Sequence, residues 1–309
     1  MKTALILGIT GGFGSNVANA LLANGWRVKA LVRSAENVAH SLSQVEIVVG
    51  DATDSSALSQ AANGVDAIVY GINMPYRDWQ EKARPLLEIT VKIAEQKRLL
   101  IVFPANVYVF DPKQGPEFDE SANAQPISKK GKVRALMERR LLRASQQGAR
   151  VLVMRSGDFI GANASNSWLG QLLVKAKAGY TLLDPSTSGH VHSWACLGDL
   201  AEVTVDLMNL NSQQEAFEVF HFAGYQLTMN DIKTAIANVS GQSVTLKPFP
   251  WWLARLAAPF TKAAREMLEM QYLWEQEVKL KQQKLALTLD KKLVQTPLSE
   301  ALTKTGLFD

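Results

Sequence analysis

The chain has 309 residues, of which 47% are hydrophobic and 20% charged, and its net charge is +4. This composition is that of a globular protein with a sizeable core, and it excludes a disordered or fibrous chain. The single cysteine, Cys196, excludes an intrachain disulfide and a zinc site built from cysteines. Because no stretch reaches the roughly 18 apolar residues of a membrane-spanning helix, we expect a cytoplasmic protein.

Short apolar runs alternate with helical patterns through the first two-thirds of the chain. The runs lack a period of two, which is typical of strands covered on both faces. The predicted strands are Ala4–Leu7, Arg27–Val32, Glu46–Val49, Ala67–Tyr70, Leu99–Phe103 and Val151–Met154. The predicted helices between them are Phe13–Asn24, Ser55–Ala62, Trp79–Gln96 and Lys129–Gln147. Repeated strand–helix–strand units predict an α/β fold with a doubly wound parallel sheet.

The alternation becomes less regular after about Gly161. The further predicted elements are strands at His190–Trp194, Glu218–Phe222 and Val244–Lys247, a helix at Gly198–Asn209, and mostly helical structure from Thr228 onward. We therefore assign residues 1–165 and 190–225 to the sheet domain. Residues 166–189 and 226–309 are assigned to a smaller, mostly helical C-terminal lobe that holds the substrate.

The strongest motif is the glycine-rich stretch GITGGFG, which directly follows the first predicted strand. Glycines at this spacing between a strand and a helix are typical of a dinucleotide-binding turn in a Rossmann fold. Gly8 allows the tight turn, Gly11 lets the backbone approach a pyrophosphate, and Gly14 lets the helix pack on the strand. The free N–H groups of the helix N-terminus then face the negative charge. The predicted cofactor contacts in this turn are Gly8, Thr10, Gly11, Gly12, Phe13 and Gly14.

The end of the second predicted strand selects between the two nicotinamide dinucleotides. An acid at this position would accept a hydrogen bond from the ribose 2′-hydroxyl and favour NAD. Here the sequence is ALVRS, with Arg33 at the position and no acid before Glu36. A guanidinium fork suits a 2′-phosphate, and Ser34 supplies a second contact. The sequence therefore favours NADP over NAD, the alternative being that Arg33 is a solvated loop residue.

Two further loops suit a bound dinucleotide. Asp51 and Ala52 follow the third strand, where an acid commonly contacts the adenine amino group. Gly71 and Ile72 follow the fourth strand, where small residues let the backbone lie along the cofactor. Each is alternatively an ordinary loop residue, and Asp51 would then cap the helix that follows it.

Together these residues resemble the extended short-chain dehydrogenases/reductases of the NAD(P)-dependent epimerase/dehydratase type. The similarity runs over nearly the whole chain and includes several later segments. These are GDAT at residues 50–53, Val107-Tyr108, RSGDFIG at residues 155–161, HSWACLGDLA at residues 192–201 and Thr296-Pro297-Leu298. The resemblance implies NAD(P)-dependent oxidoreductase chemistry on a small-molecule substrate.

The resemblance ends at the catalytic positions. In that family a tyrosine transfers the proton, a lysine lowers its pKa and holds the ribose, and a Ser/Thr hydroxyl orients the substrate carbonyl. Position by position, this chain has Lys130 for the tyrosine, Arg134 for the lysine and Pro104 for the hydroxyl. Proline has no side-chain donor, and arginine does not deprotonate in proteins. The candidate acid/base groups are therefore Lys130, Tyr108 and Asp158, and Arg134 is predicted to contact the cofactor ribose or phosphate.

The candidate residues have plainer alternatives. Lys130 is alternatively a surface lysine before a helix, and Arg155 is expected to be an ion partner at a strand end. His192 and Trp194 line the substrate cleft or, alternatively, pack in the core. His190 and His192 share a strand face, but no further histidine or acid stands at ligand spacing, so no metal site is predicted.

Three functions agree with these residues. The first is an atypical NADP-dependent oxidoreductase, epimerase or dehydratase with displaced acid/base groups, acting on a carbonyl or sugar-nucleotide-like molecule. The second is a non-catalytic NADP(H)-binding redox sensor or regulatory protein, and the third is an enzyme whose dinucleotide is mainly structural. We favour the first, because a full C-terminal lobe has little use without a substrate.

The expected partners follow from charge and hydropathy. The basic run Lys129–Arg140 lies on a predicted helix and is typical of a solvated face, so no nucleic acid is expected. The apolar stretch Phe249–Phe260 is too short and interrupted to span a membrane, and we expect a packed helix and no membrane partner. The assembly is left open between a monomer and a homodimer.

Overall fold

The computed structural model of the chain describes residues 1–38, 42–164, 167–186, 188–210 and 215–308. Its strands are β1 (Thr3–Leu7), β2 (Arg27–Val32), β3 (Glu46–Val49), β4 (Ala67–Tyr70), β5 (Leu100–Asn106), β6 (Glu117–Phe118), β7 (Arg150–Ser156), β8 (Asp158–Ile160), β9 (Leu173–Ala176), β10 (Gly179–Asp184), β11 (His192–Cys196), β12 (Phe217–Phe222), β13 (Tyr225–Leu227), β14 (Val244–Pro248) and β15 (Lys279–Leu280). Its α-helices are α1 (Gly12–Ala23), α2 (Ser55–Ala61), α3 (Tyr76–Asp78), α4 (Arg84–Lys97), α5 (Lys129–Gln146), α6 (Trp168–Leu172), α7 (Leu197–Leu210), α8 (Met229–Ser240), α9 (Trp251–Ala257), α10 (Lys262–Leu268), α11 (Tyr272–Glu275), α12 (Gln283–Leu289) and α13 (Leu298–Thr303).

The chain divides into two compact units. The first unit comprises Met1–Ala105, Val133–Arg155 and Leu200–Phe220, and the second comprises Asn106–Lys132, Ser156–Asp199 and His221–Asp309. Each unit is therefore built from separate segments of the chain. The domain boundaries inferred from the sequence stay a prediction.

The first unit contains most of a seven-stranded sheet with the order β12-β7-β5-β4-β1-β2-β3. β1 pairs in parallel with β2 and β4, β2 pairs in parallel with β3, and β4 pairs in parallel with β5. From β1 the chain moves outward to β3, returns to β4 on the other side of β1, and continues outward in the opposite direction. This winding confirms the predicted doubly wound sheet, and in such sheets ligands bind where the strand order reverses.

The centre of this sheet is buried on both faces, as its unbroken apolar strands predicted. The four residues from Ala4 to Leu7 are fully buried, and so is nearly all of β4. The same expectation is wrong for β3, where Val49 is 67% exposed. β3 lies at the sheet edge with β2 as its neighbour, so its apolar residues are not covered on both faces.

The predicted helix Trp79–Gln96 differs from the observed structure at its start. In the structure, α3 comes before this segment, a π-helical turn at Trp79–Ala83 begins it, and α4 continues it. Pro85 lies in the first turn of α4 and has no N–H group to donate to the preceding turn. The proline therefore accounts for the change of hydrogen-bond pattern where the π-helical turn meets α4.

The second unit contains three small sheets beside its helices. Their orders are β13-β11-β8, β14-β10-β9 and β15-β6. The predicted helical C-terminal region is confirmed by α8 to α13, whereas β8, β9, β10 and β13 were not predicted. Strand β11 begins at His192 rather than at the predicted His190, so His190 lies before the strand and does not share a strand face with His192.

Among the described residues, no helix is both long and apolar enough to cross a membrane.

Candidate functional site

The glycine-rich turn after β1 is shaped by close backbone packing at two of its glycines. Gly8 has a φ of +82°, and a Cβ there would lie 2.6 Å from the carbonyl oxygen of Gly71. A Cβ on Gly14 would collide with the carbonyl oxygen of Gly8. These two positions therefore require glycine for the turn itself, because α1 and β4 both approach it closely.

Gly11 differs from Gly8 and Gly14 because the fold leaves room for a side chain at this position. Its backbone is extended, with φ −90° and ψ 161°, and a Cβ would lie 3.4 Å from its nearest neighbour, the Gly8 oxygen. Thr10 and Gly11 are exposed, Gly12 begins α1, and Phe13 is buried and anchors the first turn. No side chain caps α1, and its first turn has no acid. The space in front of these N–H groups fits a pyrophosphate.

The second and third strands bring two predicted cofactor loops together. Arg33 is exposed directly after β2, and the hydroxyl of Ser34 makes no capping hydrogen bond to the turn that follows. Asp51 Oδ1 accepts hydrogen bonds of 2.8 Å from the backbone N–H and the hydroxyl of Thr53. These bonds, together with the positive charge of Arg33, lower the pKa of Asp51 below its usual value. Ala52 follows Asp51 in the same loop. The cation Arg33 and the anion Asp51 therefore lie near each other at the carboxyl ends of β2 and β3.

The cap of α2 is a different residue from Asp51. Asp54 precedes the helix, and its side chain accepts hydrogen bonds from the N–H groups of Ser56 and Ala57. Asp51 instead folds the loop onto Thr53. Its carboxylate therefore remains at the strand end where an adenine contact was predicted.

Gly71 and Ile72 follow β4 at the point where the strand order reverses. The N–H of Gly71 donates to Leu7 O at 2.8 Å, and a Cβ on Gly71 would lie 3.0 Å from that oxygen. Ile72 lines a cavity of about 10 Å³ together with Tyr70 and Arg134. Such a cavity has roughly the room of one water molecule.

The polar groups around this small cavity come from three elements of the first unit. The Tyr70 hydroxyl is buried and has no hydrogen-bond partner among the described residues. Burial raises its pKa above the usual value, and Arg134 acts in the opposite direction. The Arg134 guanidinium lies 4.5 Å from the centre of the Trp79 ring, and its Nη1 donates to Pro104 O at 3.3 Å. Arg134 is therefore held in place at the same cavity as Ile72, another predicted cofactor contact.

Lys130 is buried in an ion cluster of the second unit. Its side chain is 3% exposed, and Nζ pairs with Glu266 Oε2 and, at 3.0 Å, with Glu269 Oε2. The backbone N–H of Lys130 also donates to Glu269 Oε1 at 2.8 Å. The alternative that Lys130 is a surface lysine is therefore wrong. Sequence reasoning missed both glutamates, which lie more than a hundred residues further along the chain.

Tyr108 lies in the short 3₁₀ turn Val107–Val109 and is buried. Its N–H donates to Asn106 Oδ1 at 3.2 Å. A Cβ on Gly131 would collide with the carbonyl oxygen of Tyr108, so the start of α5 packs directly against this turn. Tyr108 is thus fixed by the packing of the chain around it.

Asp158 and His192 form a hydrogen-bonded pair in the second unit. They lie on the adjacent parallel strands β8 and β11, and Asp158 Oδ2 is 2.6 Å from His192 Nε2. The imidazole stacks on the ring of Trp274 at 4.0 Å and meets Trp194 edge-on at 5.1 Å. The carboxylate and the two indole rings hold the imidazole in one orientation. An imidazole held in this way by a carboxylate is an arrangement that general acid–base catalysis uses.

Sequence reasoning treated Asp158 and His192 as separate candidates. Their pairing depends on the register between β8 and β11, and β8 was not predicted as a strand. The motifs RSGDFIG and HSWACLGDLA were the available signal, since the first contains Asp158 and the second begins with His192.

Arg155 forms a buried ion pair in the first unit. Its Nη2 lies 2.5 Å from Glu138 Oε2. This confirms the expectation that Arg155 is an ion partner at the end of a strand. Within the part of the chain that the structure describes, no three His, Cys, Asp or Glu side chains are grouped to hold a metal.

Comparisons with known proteins identify a domain type and similar folds. Residues 8–157 match a protein-family model described as NAD(P)H-binding. A search of curated proteins finds no match. Many solved structures match, among them MoeE5 in complex with UDP-glucuronic acid and NAD, with 13% identity, a TM-score of 0.77, and coverage of 98% of this chain and 97% of that one.

Two epimerase structures are also similar over almost their whole length. UDP-glucose 4-epimerase from Brucella ovis in complex with NAD has 14% identity and a TM-score of 0.78, covering 99% of this chain and 97% of that chain. UDP-N-acetylglucosamine 4-epimerase from Bacillus cereus has 15% identity and a TM-score of 0.67, covering 98% and 96%. At these identities the likeness shows the fold. The resemblance to the extended short-chain dehydrogenases/reductases is thereby confirmed for the fold and for an NAD(P)H-binding domain.

Proposed function

We propose that this NAD(P)H-binding chain, with the fold of the nucleotide-sugar epimerases, is an NADP-dependent oxidoreductase or epimerase/dehydratase with a non-standard active site. Its substrate is a carbonyl or sugar-nucleotide-like small molecule. The observation that carries the proposal is the pair formed by His192 and Asp158, because the positions of the family's tyrosine and lysine hold no equivalent acid.

The cofactor preference rests on the loops after β1 and β2. The room in front of Gly11 and the uncapped N-terminus of α1 accept the pyrophosphate. The exposed guanidinium of Arg33 and the hydroxyl of Ser34 then contact a 2′-phosphate. Arg134, held by the Trp79 ring, contacts the ribose or a phosphate. NADP is therefore the preferred dinucleotide.

The environment of Lys130 argues against a proton-transfer role for that residue. Deprotonation of its ammonium would leave the carboxylates of Glu266 and Glu269 facing each other without a counter-ion. Arginine at position 134 does not deprotonate. The proton must therefore be carried by another group, and we assign Lys130 to holding the fold.

His192 supplies the missing proton donor and acceptor. A bound nicotinamide supplies or takes the hydride at the substrate carbon in such reactions. When a carbonyl is reduced, the His192 imidazolium gives its proton to the carbonyl oxygen, and in the reverse direction the neutral imidazole takes it back. Asp158 fixes the orientation of the ring through its hydrogen bond to Nε2.

A substrate screen with matched variants tests this function. Carbonyl compounds and sugar nucleotides are incubated with NADPH or NADP, and turnover is followed by the absorbance of the reduced cofactor. His192→Asn is expected to lower turnover by about 10²–10⁴-fold while NADPH affinity is retained. His190→Asn, two residues away and without the Asp158 bond, serves as the control and is expected to keep parent activity.

Two results would overturn the proposal. Parent turnover in His192→Asn would remove the histidine from the reaction. A parent protein that turns over no compound in the screen, yet changes conformation between NADP and NADPH, would instead indicate a redox sensor.

A further inference from the structure

Helix α9 and the residues that follow it carry an exposed apolar surface in the second unit. We call it the α9 surface and define it by four residues: Trp252, Leu253, Leu256 and Phe260. Their exposed fractions are 60%, 48%, 64% and 87%, respectively. Large apolar side chains are usually exposed singly, so four within nine residues mark an interaction site.

The helix that carries this surface is itself firmly held. Trp251, the first residue of α9, is buried, and its indole N–H donates to Pro185 O at 2.9 Å. After α9, the Arg265 Nη1 donates to Ala258 O at 2.7 Å, and Lys130 pairs with the glutamates of the α10 region. The expectation that Phe249–Phe260 forms a packed helix is thus right for Trp251 and wrong for the opposite face.

Basic residues predominate in the sequence that carries the α9 surface. Residues 232–265 contain five basic residues and no acid. Three of the basic residues, Arg255, Lys262 and Arg265, lie within or next to the surface and are exposed. The acids that follow, Glu266 and Glu269, pair with the buried Lys130.

We propose that the α9 surface binds the face of an anionic lipid bilayer. Tryptophan and phenylalanine favour the boundary between headgroups and acyl chains, and exposed basic residues are attracted to anionic headgroups. A seven-residue helix with Trp252 and Leu256 one turn apart enters this boundary without crossing the bilayer. In this proposal the protein is a peripheral membrane protein, contrary to the expectation from the sequence of no membrane partner and independently of the reaction proposed above.

A second copy of the chain fits the same surface poorly. In a twofold dimer the two copies present the same patch to each other. The basic residues Arg255, Lys262 and Arg265 of one copy would then face a patch that carries the same three positive charges. An anionic bilayer instead offers acyl chains to the apolar residues and negatively charged headgroups to the basic residues.

Vesicle co-sedimentation of the full chain tests the proposal. Vesicles of phosphatidylcholine alone are compared with vesicles that also contain phosphatidylserine. The parent is expected to sediment with the anionic vesicles only and to be released by salt. A variant with Trp252→Ser, Leu256→Ser and Phe260→Ser, and a second with Arg255→Glu and Lys262→Glu, are each expected to bind about tenfold or more weakly.

The controls separate membrane binding from loss of structure. Leu287→Ser with Val294→Ser removes two apolar side chains that are as exposed as those of the α9 surface, and is expected to bind like the parent. NADPH affinity is expected to be unchanged in all variants. Equal sedimentation of parent and Trp252/Leu256/Phe260 variant would overturn the proposal, as would a parent dimer in light scattering that this variant abolishes.

Discussion

Lys130 Nζ lies 3.0 Å from the Oε2 of Glu269, and Glu266 pairs with the same ammonium. The position that the family resemblance assigns to a proton donor is thus the centre of a buried ion cluster. The cluster joins the first residues of α5 to α10. It explains why lysine stands there in a chain whose other features suit dinucleotide binding.

Substitution of Lys130 by Met should destabilise the fold without weakening cofactor binding. Removing one partner of a buried ion pair leaves uncompensated charge and costs about 3–5 kcal/mol. The measurement is urea unfolding of parent and variant, with NADPH titration beside it. Lys130→Met combined with Glu266→Gln and Glu269→Gln should recover most of the loss, and an unchanged free energy of unfolding in the single variant would contradict the structural role.

Substitution of Arg134 by Met should weaken NADPH binding. Loss of a charged hydrogen-bond partner costs about 1.5–3 kcal/mol, which is roughly tenfold or more in affinity. Arg139→Met removes an exposed charge from the same helix and should leave the affinity unchanged. Equal losses in both variants would point to a general effect of charge.

Substitutions at Gly11 and Gly14 should separate binding from folding. Gly11→Val has room within the fold and should abolish NADPH binding while thermal stability changes little. Gly14→Ala places a Cβ against the Gly8 carbonyl oxygen and should lower the free energy of unfolding by about 1–3 kcal/mol. Calorimetry and cofactor titration of both variants check this, and normal NADPH affinity in Gly11→Val would exclude Gly11 from the site.

The ion pairs of Arg140 with Glu88 and Glu95, which we call the Arg140 clamp, should give a pH-dependent contribution to stability. Arg140 Nε donates to Glu88 Oε2 at 2.7 Å, and Nη1 donates to Glu95 Oε1 at 2.7 Å. The hydrogen bond from Arg140 lowers the pKa of Glu88. Arg140→Met should therefore lower the free energy of unfolding by about 1 kcal/mol at neutral pH.

The sign of that pH dependence follows from the lowered pKa. The clamp's contribution is fully present above the unfolded carboxyl pKa of about 4.3 and is lost as pH falls through the folded value. Unfolding of parent and Arg140→Met is measured between neutral and acid pH, with Arg139→Met as the control. A stability difference that stays constant down to acid pH would contradict the assignment to Glu88.

Features encoded by neighbouring residues were predictable from the sequence. The turn from Gly8 to Gly14 is local, and β2, β3 and β4 begin and end at the predicted residues. The Asp158–His192 pair depends on a strand register, and the ions around Lys130 come from residues more than a hundred positions away. Contacts of this kind are set by tertiary packing, which the pattern of a single sequence does not specify.

Titration of the parent with NADPH and NADH, followed by cofactor fluorescence, tests the central claim most directly. NADPH should bind more tightly than NADH, and Arg33→Ala should weaken NADPH binding about tenfold or more while NADH affinity stays the same. Arg27→Ala, an exposed arginine at the other end of β2, should change neither affinity. Equal affinities of the parent for NADPH and NADH would contradict the proposed NADP site.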